Sequence, residues 1–211
     1  PSVANGTNRV AIVIQTALGT AGFKSKGVST YPFNMYLAVT AFIGSIIGAN
    51  IAIDIKGDTF NKILAIIMVA VVLIILFKPK MNTEGLEERL KGKYLVYAMI
   101  AFFFFGIYGG FINAGLGFLM MIFLHGVNRL SLVKTNMTKV SVVCLYTIAA
   151  LAVFAYNDKV DWLIGGVLAL GNGTGAWVAS RYSVKKGDGF IKKFMVAMIV
   201  IMAIKLWIFN T

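Results

Sequence analysis

Residues 106–117 read GIYGGFINAGLG, and five of these twelve positions are glycine. Each glycine costs a helix about 1 kcal/mol relative to alanine, so an unbroken helix is not expected here. The stretch lies within residues 94–128, a charge-free run that is too long for one crossing of about 20 residues. Irregular backbone inside a bilayer is tolerated only beside protein or a water-filled cavity. We therefore expect either a broken helix that offers free N–H groups to an anion, or a tight turn at the membrane surface.

The remainder of the chain is equally apolar. Of its 211 residues, 59% are hydrophobic and only 13% are charged, with a mean hydropathy of +0.83. Soluble domains are about 45–50% apolar and about 25% charged, so a soluble or disordered protein is excluded. Further charge-free runs occupy residues 10–23, 27–53, 63–77, 140–157, 162–180 and 194–204. These runs predict an all-α, polytopic helical membrane protein.

The charged and reactive residues exclude several other classes. One Cys and one His cannot form a disulfide framework or a Cys/His metal cluster. In a soluble protein, the net charge of +12 would suggest a nucleic-acid partner. In a membrane protein, basic residues collect in the cytoplasmic loops instead. No paired carboxylates and no Ser/His/Asp set stand out. We expect no enzyme, no cofactor, no metal and no nucleic-acid partner.

An internal repeat organises the chain. The sequence KGDTF at residues 56–60 recurs as KGDGF at residues 186–190, each time in a loop between two apolar spans. This recurrence predicts a first repeat at residues 1–77, a cytoplasmic linker at 78–93 and a second repeat at 94–211. Internal repeats are typical of secondary transporters. The second repeat has an additional glycine-rich element, and the corresponding element of the first is expected before Pro1.

The basic residues predict how the spans are oriented. If residues 94–124 cross the membrane once, nine basic residues lie on one side of the membrane and eleven on the other. If this segment is a re-entrant hairpin, fifteen of the twenty basic residues share one side, which satisfies the positive-inside rule. The hairpin would also make the two repeats inverted relative to each other.

Glycine pairs and polar clusters supply candidate functional positions. Gly44 with Gly48, and Gly171 with Gly175, have the GxxxG spacing that favours close helix packing; exposure of backbone to a substrate path is the alternative. Two similar clusters precede spans: Thr7, Asn8 and Arg9 before one, and Thr135, Asn136 and Lys139 before another. Hydroxyl, amide and cation within one helical turn suit an oxyanion. Ordinary helix capping with a snorkelling base is the structural alternative.

Taken in order, these features resemble the TauE/SafE sulfite exporter family, also called the 4-toluene sulfonate uptake permease family. The similar residues are the glycine-rich stretch 106–117, the two Thr-Asn-basic segments, the pair Asp161-Trp162, and the Gly171/Gly175 span followed by Arg181. The resemblance implies a multi-pass carrier of the bacterial inner membrane for small sulfur-containing anions such as sulfite, sulfoacetate and related sulfonates. It further implies that the direction is often export. The basic, carboxylate-free, glycine-broken core leads us to expect alternating access, with the two repeats rocking about a midplane site.

The resemblance also suggests which residues bind substrate: Asn8, Arg9, Gly109, Gly110, Asn113, Asn136 and Lys139. An anion channel, or an uptake carrier for sulfate, thiosulfate or another oxyanion, would use the same glycines and cations. All acidic residues fall at or between span ends, so we expect export driven by the membrane potential rather than by protons. The expected partners are the anion and the lipid bilayer, and a homo-oligomer is compatible with the sequence.

Overall fold

The computed structural model describes residues 2–55, 59, 62–63 and 87–209, and these ranges contain helices but no strand. The helices are α1 Ser2–Lys24, α2 Phe33–Asp54, α3 Lys93–Phe111, α4 Leu116–Gly126, α5 Leu132–Tyr156 and α6 Trp162–Phe209. The all-α prediction is confirmed. The predicted loop at 56–58, the span beyond residue 63 and the linker before residue 87 lie outside the described residues.

Four of the described helices are long and apolar enough to cross a membrane: α2, α3, α5 and the part of α6 at Trp162–Ile191. Their outward faces carry large apolar side chains, including Ile43 on α2, Phe104 on α3 and Leu163 on α6, each more than half exposed. Such faces are unfavourable in water and favourable against lipid. This pattern is that of a multi-pass membrane protein.

Helices α2 and α3 interlock through glycines. A Cβ on Gly44 would lie 3.0 Å from the amide nitrogen of Ile107, and one on Gly48 would lie 2.8 Å from the carbonyl carbon of the same residue. From the other side, Cβ atoms on Gly106 and Gly110 would meet the backbone of α2 at 2.7 Å. The two backbones are therefore in direct contact, and the packing interpretation of Gly44 and Gly48 is confirmed.

The second glycine pair behaves differently. Gly171 and Gly175 are exposed, and no described atom lies within 4 Å of a Cβ placed on either. No residue in the described part of the chain packs against this pair, so the packing interpretation stays a prediction here. The face of α6 that meets α1 instead carries Gly165 and Gly173, whose added Cβ atoms would approach Val10 at 2.9 Å and Leu18 at 2.8 Å. Positions 171 and 173 differ by 200° around a helix, because each residue turns it by about 100°.

The chain reverses direction between α3 and α4. Asn113 and Gly115 have left-handed backbone angles, with φ values of 65° and 71°. Helix α4 then returns along α3, so that the ring of Phe123 lies 6.3 Å from that of Phe102. At the base of this pair, Arg89 N–H donates to the Asn128 carbonyl at 2.9 Å, and Asn128 Nδ2 donates to the Arg89 carbonyl at 2.8 Å. The segment formed by α3, the turn and α4 therefore ends beside the point where it began.

The Thr-Asn-basic clusters lie inside helices rather than before them. Helix α5 begins at Leu132, and two side chains cap its first turn. Ser131 Oγ accepts from Lys134 N–H at 3.2 Å, and the Asp188 carboxylate accepts from the N–H groups of Leu132 and Val133 at 2.7 and 2.9 Å. These caps extend α5 beyond the charge-free run, because they satisfy backbone donors that would otherwise end it.

The motif that supplies Asp188, at residues 186–190, interrupts the helical backbone as a sharp kink. Two helical segments meet at Gly187, which alone between Trp162 and Phe209 has non-helical backbone angles, with φ 72° and ψ −170°. A glycine adopts this conformation without steric strain. The two helical segments therefore join at a single residue of the KGD motif, and not through a five-residue loop at residues 186–190.

Candidate functional site

Arg9 is completely buried in α1 and reaches the end of α3. Its Nη1 donates to the carbonyl of Gly109 at 3.1 Å, and its Nη2 donates to the carbonyl of Gly110 at 2.5 Å and to Asn5 Oδ1 at 3.3 Å. Asn5 Nδ2 donates in turn to the carbonyl of Phe111 at 2.7 Å. These are last-turn carbonyls of α3, which lack helical partners and attract positive charge.

Arg9 has no acidic partner among the residues that the structure describes. The guanidinium carbon lies 4.8 Å from the ring centre of Phe154, and no described carboxylate is within 4 Å of the side chain. The Nε atom is buried and has no hydrogen-bond partner among the described residues. A charge buried in this way is costly unless oxygen dipoles or an anion compensate it. Here three uncharged oxygens provide the compensation.

The turn between α3 and α4 is fixed by two tyrosines. Tyr146 of α5 donates its hydroxyl to Asn113 Oδ1 at 2.6 Å, and Tyr108 donates its hydroxyl to the carbonyl of Ala114. Gly109 makes room for the Tyr146 ring, since a Cβ there would lie 2.9 Å from the ring. The carbonyl of Asn113's side chain is therefore occupied, and its amide nitrogen remains as the donor.

Lys139 lies on the other side of the turn, beside the start of α4. A Cβ on Gly117 would lie 3.9 Å from Lys139 Nζ, and Met121 Sδ is 3.7 Å from the same ammonium. No described carboxylate lies within 4 Å of Lys139. Helix α4 has no side-chain cap at its N-terminus, where Gly115 is the N-cap residue. The Lys139 ammonium therefore lies beside the first backbone N–H groups of α4, which have no side-chain acceptor.

The predicted site residues therefore divide into two groups. Arg9, Gly109, Gly110, Asn113 and Lys139 surround the α3–α4 turn. Asn8 is exposed on α1, and Asn136 donates to the carbonyl of Leu132 in its own helix at 3.1 Å.

Asn5 and Tyr146 join the first group, and sequence reasoning missed both. A signal existed for Asn5, which precedes Arg9 by one helical turn. Among the described residues, no group of three or more His, Cys, Asp or Glu side chains is placed to hold a metal.

Comparison with known proteins places this geometry in a family. A family model described as "Sulfite exporter TauE/SafE" matches residues 1–206. The chain belongs to the TauE/SafE sulfite exporter family. No solved structure matches the chain.

Similar sequences occur in several bacteria. A "Probable membrane transporter protein" of Haemophilus influenzae is 25% identical over 98% of this chain and 80% of its own length. The "Probable membrane transporter protein YfcA" of Escherichia coli K12 is 28% identical over 98% of this chain and 76% of its own length. Family and relatives agree that this TauE/SafE chain is a membrane transporter, and its apolar helices fit a multi-pass protein of the inner membrane.

Proposed function

We propose that this transporter exports small sulfur-containing anions, such as sulfite, sulfoacetate or related sulfonates, by alternating access. The observation that carries the proposal is the Lys139 ammonium beside the uncapped start of α4, with no described carboxylate to neutralise it. The family description, sulfite exporter, supports the substrate class and the direction. The Lys139 ammonium and the start of α4 both lie at the turn that the glycine-rich sequence creates.

The chemistry of this place suits an oxyanion. Sulfite and sulfonates carry several oxygens on one sulfur, and each oxygen accepts hydrogen bonds. The first-turn N–H groups of α4 and the positive end of its dipole favour negative charge. Lys139 adds a charge-assisted hydrogen bond, and the Asn113 amide adds a neutral donor.

The position of the acids supports coupling to the membrane potential. Each described acid lies at a helix end, in a loop between helices or at the Gly187 kink, and none lies at the α3–α4 turn. Proton-coupled carriers commonly place such a group within the membrane. Outward movement of a monovalent anion from a negative interior gains about 2.3 kcal/mol per 100 mV. Potential-driven efflux therefore needs no proton.

Flux into or out of proteoliposomes tests both the substrate and the site. Sulfite and sulfoacetate flux is measured while valinomycin and a K⁺ gradient set the potential, and Lys139→Gln is compared with Lys134→Gln. Lys134 is a matched control because it lies on the same helix but pairs with Glu88 at 2.7 Å. Loss of a charged hydrogen bond costs about 1.5–3 kcal/mol, so Lys139→Gln should reduce flux about ten- to hundredfold.

The outcomes separate the parts of the proposal. Equal flux in the two variants would reject Lys139 as a substrate ligand. Flux that follows a pH gradient and ignores the potential would reject the coupling mechanism. Single-channel currents in place of saturable flux would favour the anion channel.

A further inference from the structure

The oxygens around Arg9 form a cation site of a recognisable kind. Three uncharged acceptors, the carbonyls of Gly109 and Gly110 and the side-chain oxygen of Asn5, converge on one guanidinium. The ring of Phe154 supplies a fourth, aromatic side at 4.8 Å. In transporters with broken helices, such half-helix C-termini and unwound carbonyls commonly coordinate the coupling cation.

We propose that this place is a monovalent-cation site that the protein fills permanently with its own Arg9. The side chain would then do what a bound Na⁺ does elsewhere: neutralise the end of α3 and hold a fixed positive charge beside the turn. Because the cation is covalently attached, it cannot leave with substrate. Transport should therefore be independent of Na⁺ even though the carbonyl site for a cation is present.

The burial of Arg9 distinguishes this role from an ordinary surface contact. The side chain has no exposed area, and its charge is compensated by dipoles alone among the described residues. Removing the guanidinium would leave three inward-facing oxygens without a donor and a cavity of guanidinium shape. Unsatisfied buried acceptors are unfavourable, so a small cation of matching shape should bind there.

Chemical rescue of Arg9→Ala tests the inference without any transported anion. Purified protein is unfolded by heat or denaturant at increasing methylguanidinium, with tetramethylammonium, which lacks N–H donors, as the comparison cation. At ten times its dissociation constant, a ligand that binds only the folded state shifts the folding equilibrium about elevenfold. We expect this saturable shift in Arg9→Ala with methylguanidinium only.

Arg181→Ala is the matched control, because Arg181 also lies over an aromatic ring, 5.2 Å from that of Trp177, but is not fully buried. It should show no saturable shift. A shift of equal size in Arg9→Ala, Arg181→Ala and the wild-type protein would overturn the inference.

Two further measurements keep the inference testable. If Arg9→Ala does not fold, anion flux through the wild-type protein is compared in Na⁺, K⁺ and choline buffers. A several-fold dependence of this flux on Na⁺ would contradict a permanently filled site. Failure to transport sulfur-containing anions would refute the proposed substrate and leave the rescue result unaffected. The two ideas therefore fail independently.

Discussion

The contact between α2 and α3 predicts a large difference between two glycines with the same spacing motif. Gly48→Ala places a Cβ 2.8 Å from the carbonyl carbon of Ile107 and 2.9 Å from the amide nitrogen of Phe111. Carbon atoms in contact prefer about 3.5–4.0 Å, so the backbones must separate by at least about 0.7 Å. Overpacking of this kind costs about 1–3 kcal/mol, because neither backbone can move as a flexible side chain would.

Gly171→Ala is the control for this experiment, since its Cβ has no described atom within 4 Å. Unfolding of both variants in mixed micelles, followed by tryptophan fluorescence and circular dichroism, measures the difference. At about 2 kcal/mol, Gly48→Ala should lower the ratio of folded to unfolded protein roughly thirtyfold. Gly171→Ala should leave this ratio at or above the wild-type value, because alanine favours a helix over glycine by about 1 kcal/mol. Equal stability of the two variants would refute the interlocked packing.

Two other predictions concern the cap of α5 and the path of the chain. Asp188→Ala should lower the free energy of unfolding by about 1 kcal/mol, since the N–H groups of Leu132 and Val133 lose their acceptor. Asp188→Asn should lower this free energy less. Unchanged stability of both variants would contradict the cap. Cysteines placed at Lys91 and Arg129 in a Cys144→Ala background should react with an impermeant thiol reagent from the same, cytoplasmic side; reaction from opposite sides would contradict a re-entrant segment.

The membrane class and the interruption of the helix followed directly from sequence, because both depend on local properties. Hydropathy over long charge-free runs predicts spans whatever the tertiary contacts are. The glycines of residues 106–117 disfavour one continuous helix, and the structure ends α3 at Phe111 and begins α4 at Leu116. The positive φ of Asn113 was not predictable, since it depends on the hydrogen bond from Tyr146 of another helix.

The contacts at the candidate site were harder to predict for the same reason. Arg9 was expected to meet an anion at a helix entrance, yet its donors reach carbonyls about 100 residues away in sequence. The start of α5 could not be read from its own residues, because part of its cap comes from Asp188, 56 positions beyond Leu132. Spacing also failed to separate Gly48 from Gly171, since the motif states which residues share a helix face but not which helix covers it.

Backbone-to-backbone packing has a mechanical consequence for a carrier. Helices α2 and α3 interlock through glycines, and α1 and α6 meet through Gly165 and Gly173, so each pair should move as one stiff body. Helix α5 lies between the two bodies, where Ser45 Oγ donates to the Tyr146 carbonyl at 2.9 Å on one side and Val140 packs near α1 on the other. A rocking motion of one body against the other would then displace α5, the helix that carries Lys139, and would load the hydrogen bonds by which Arg9 of α1 holds the end of α3.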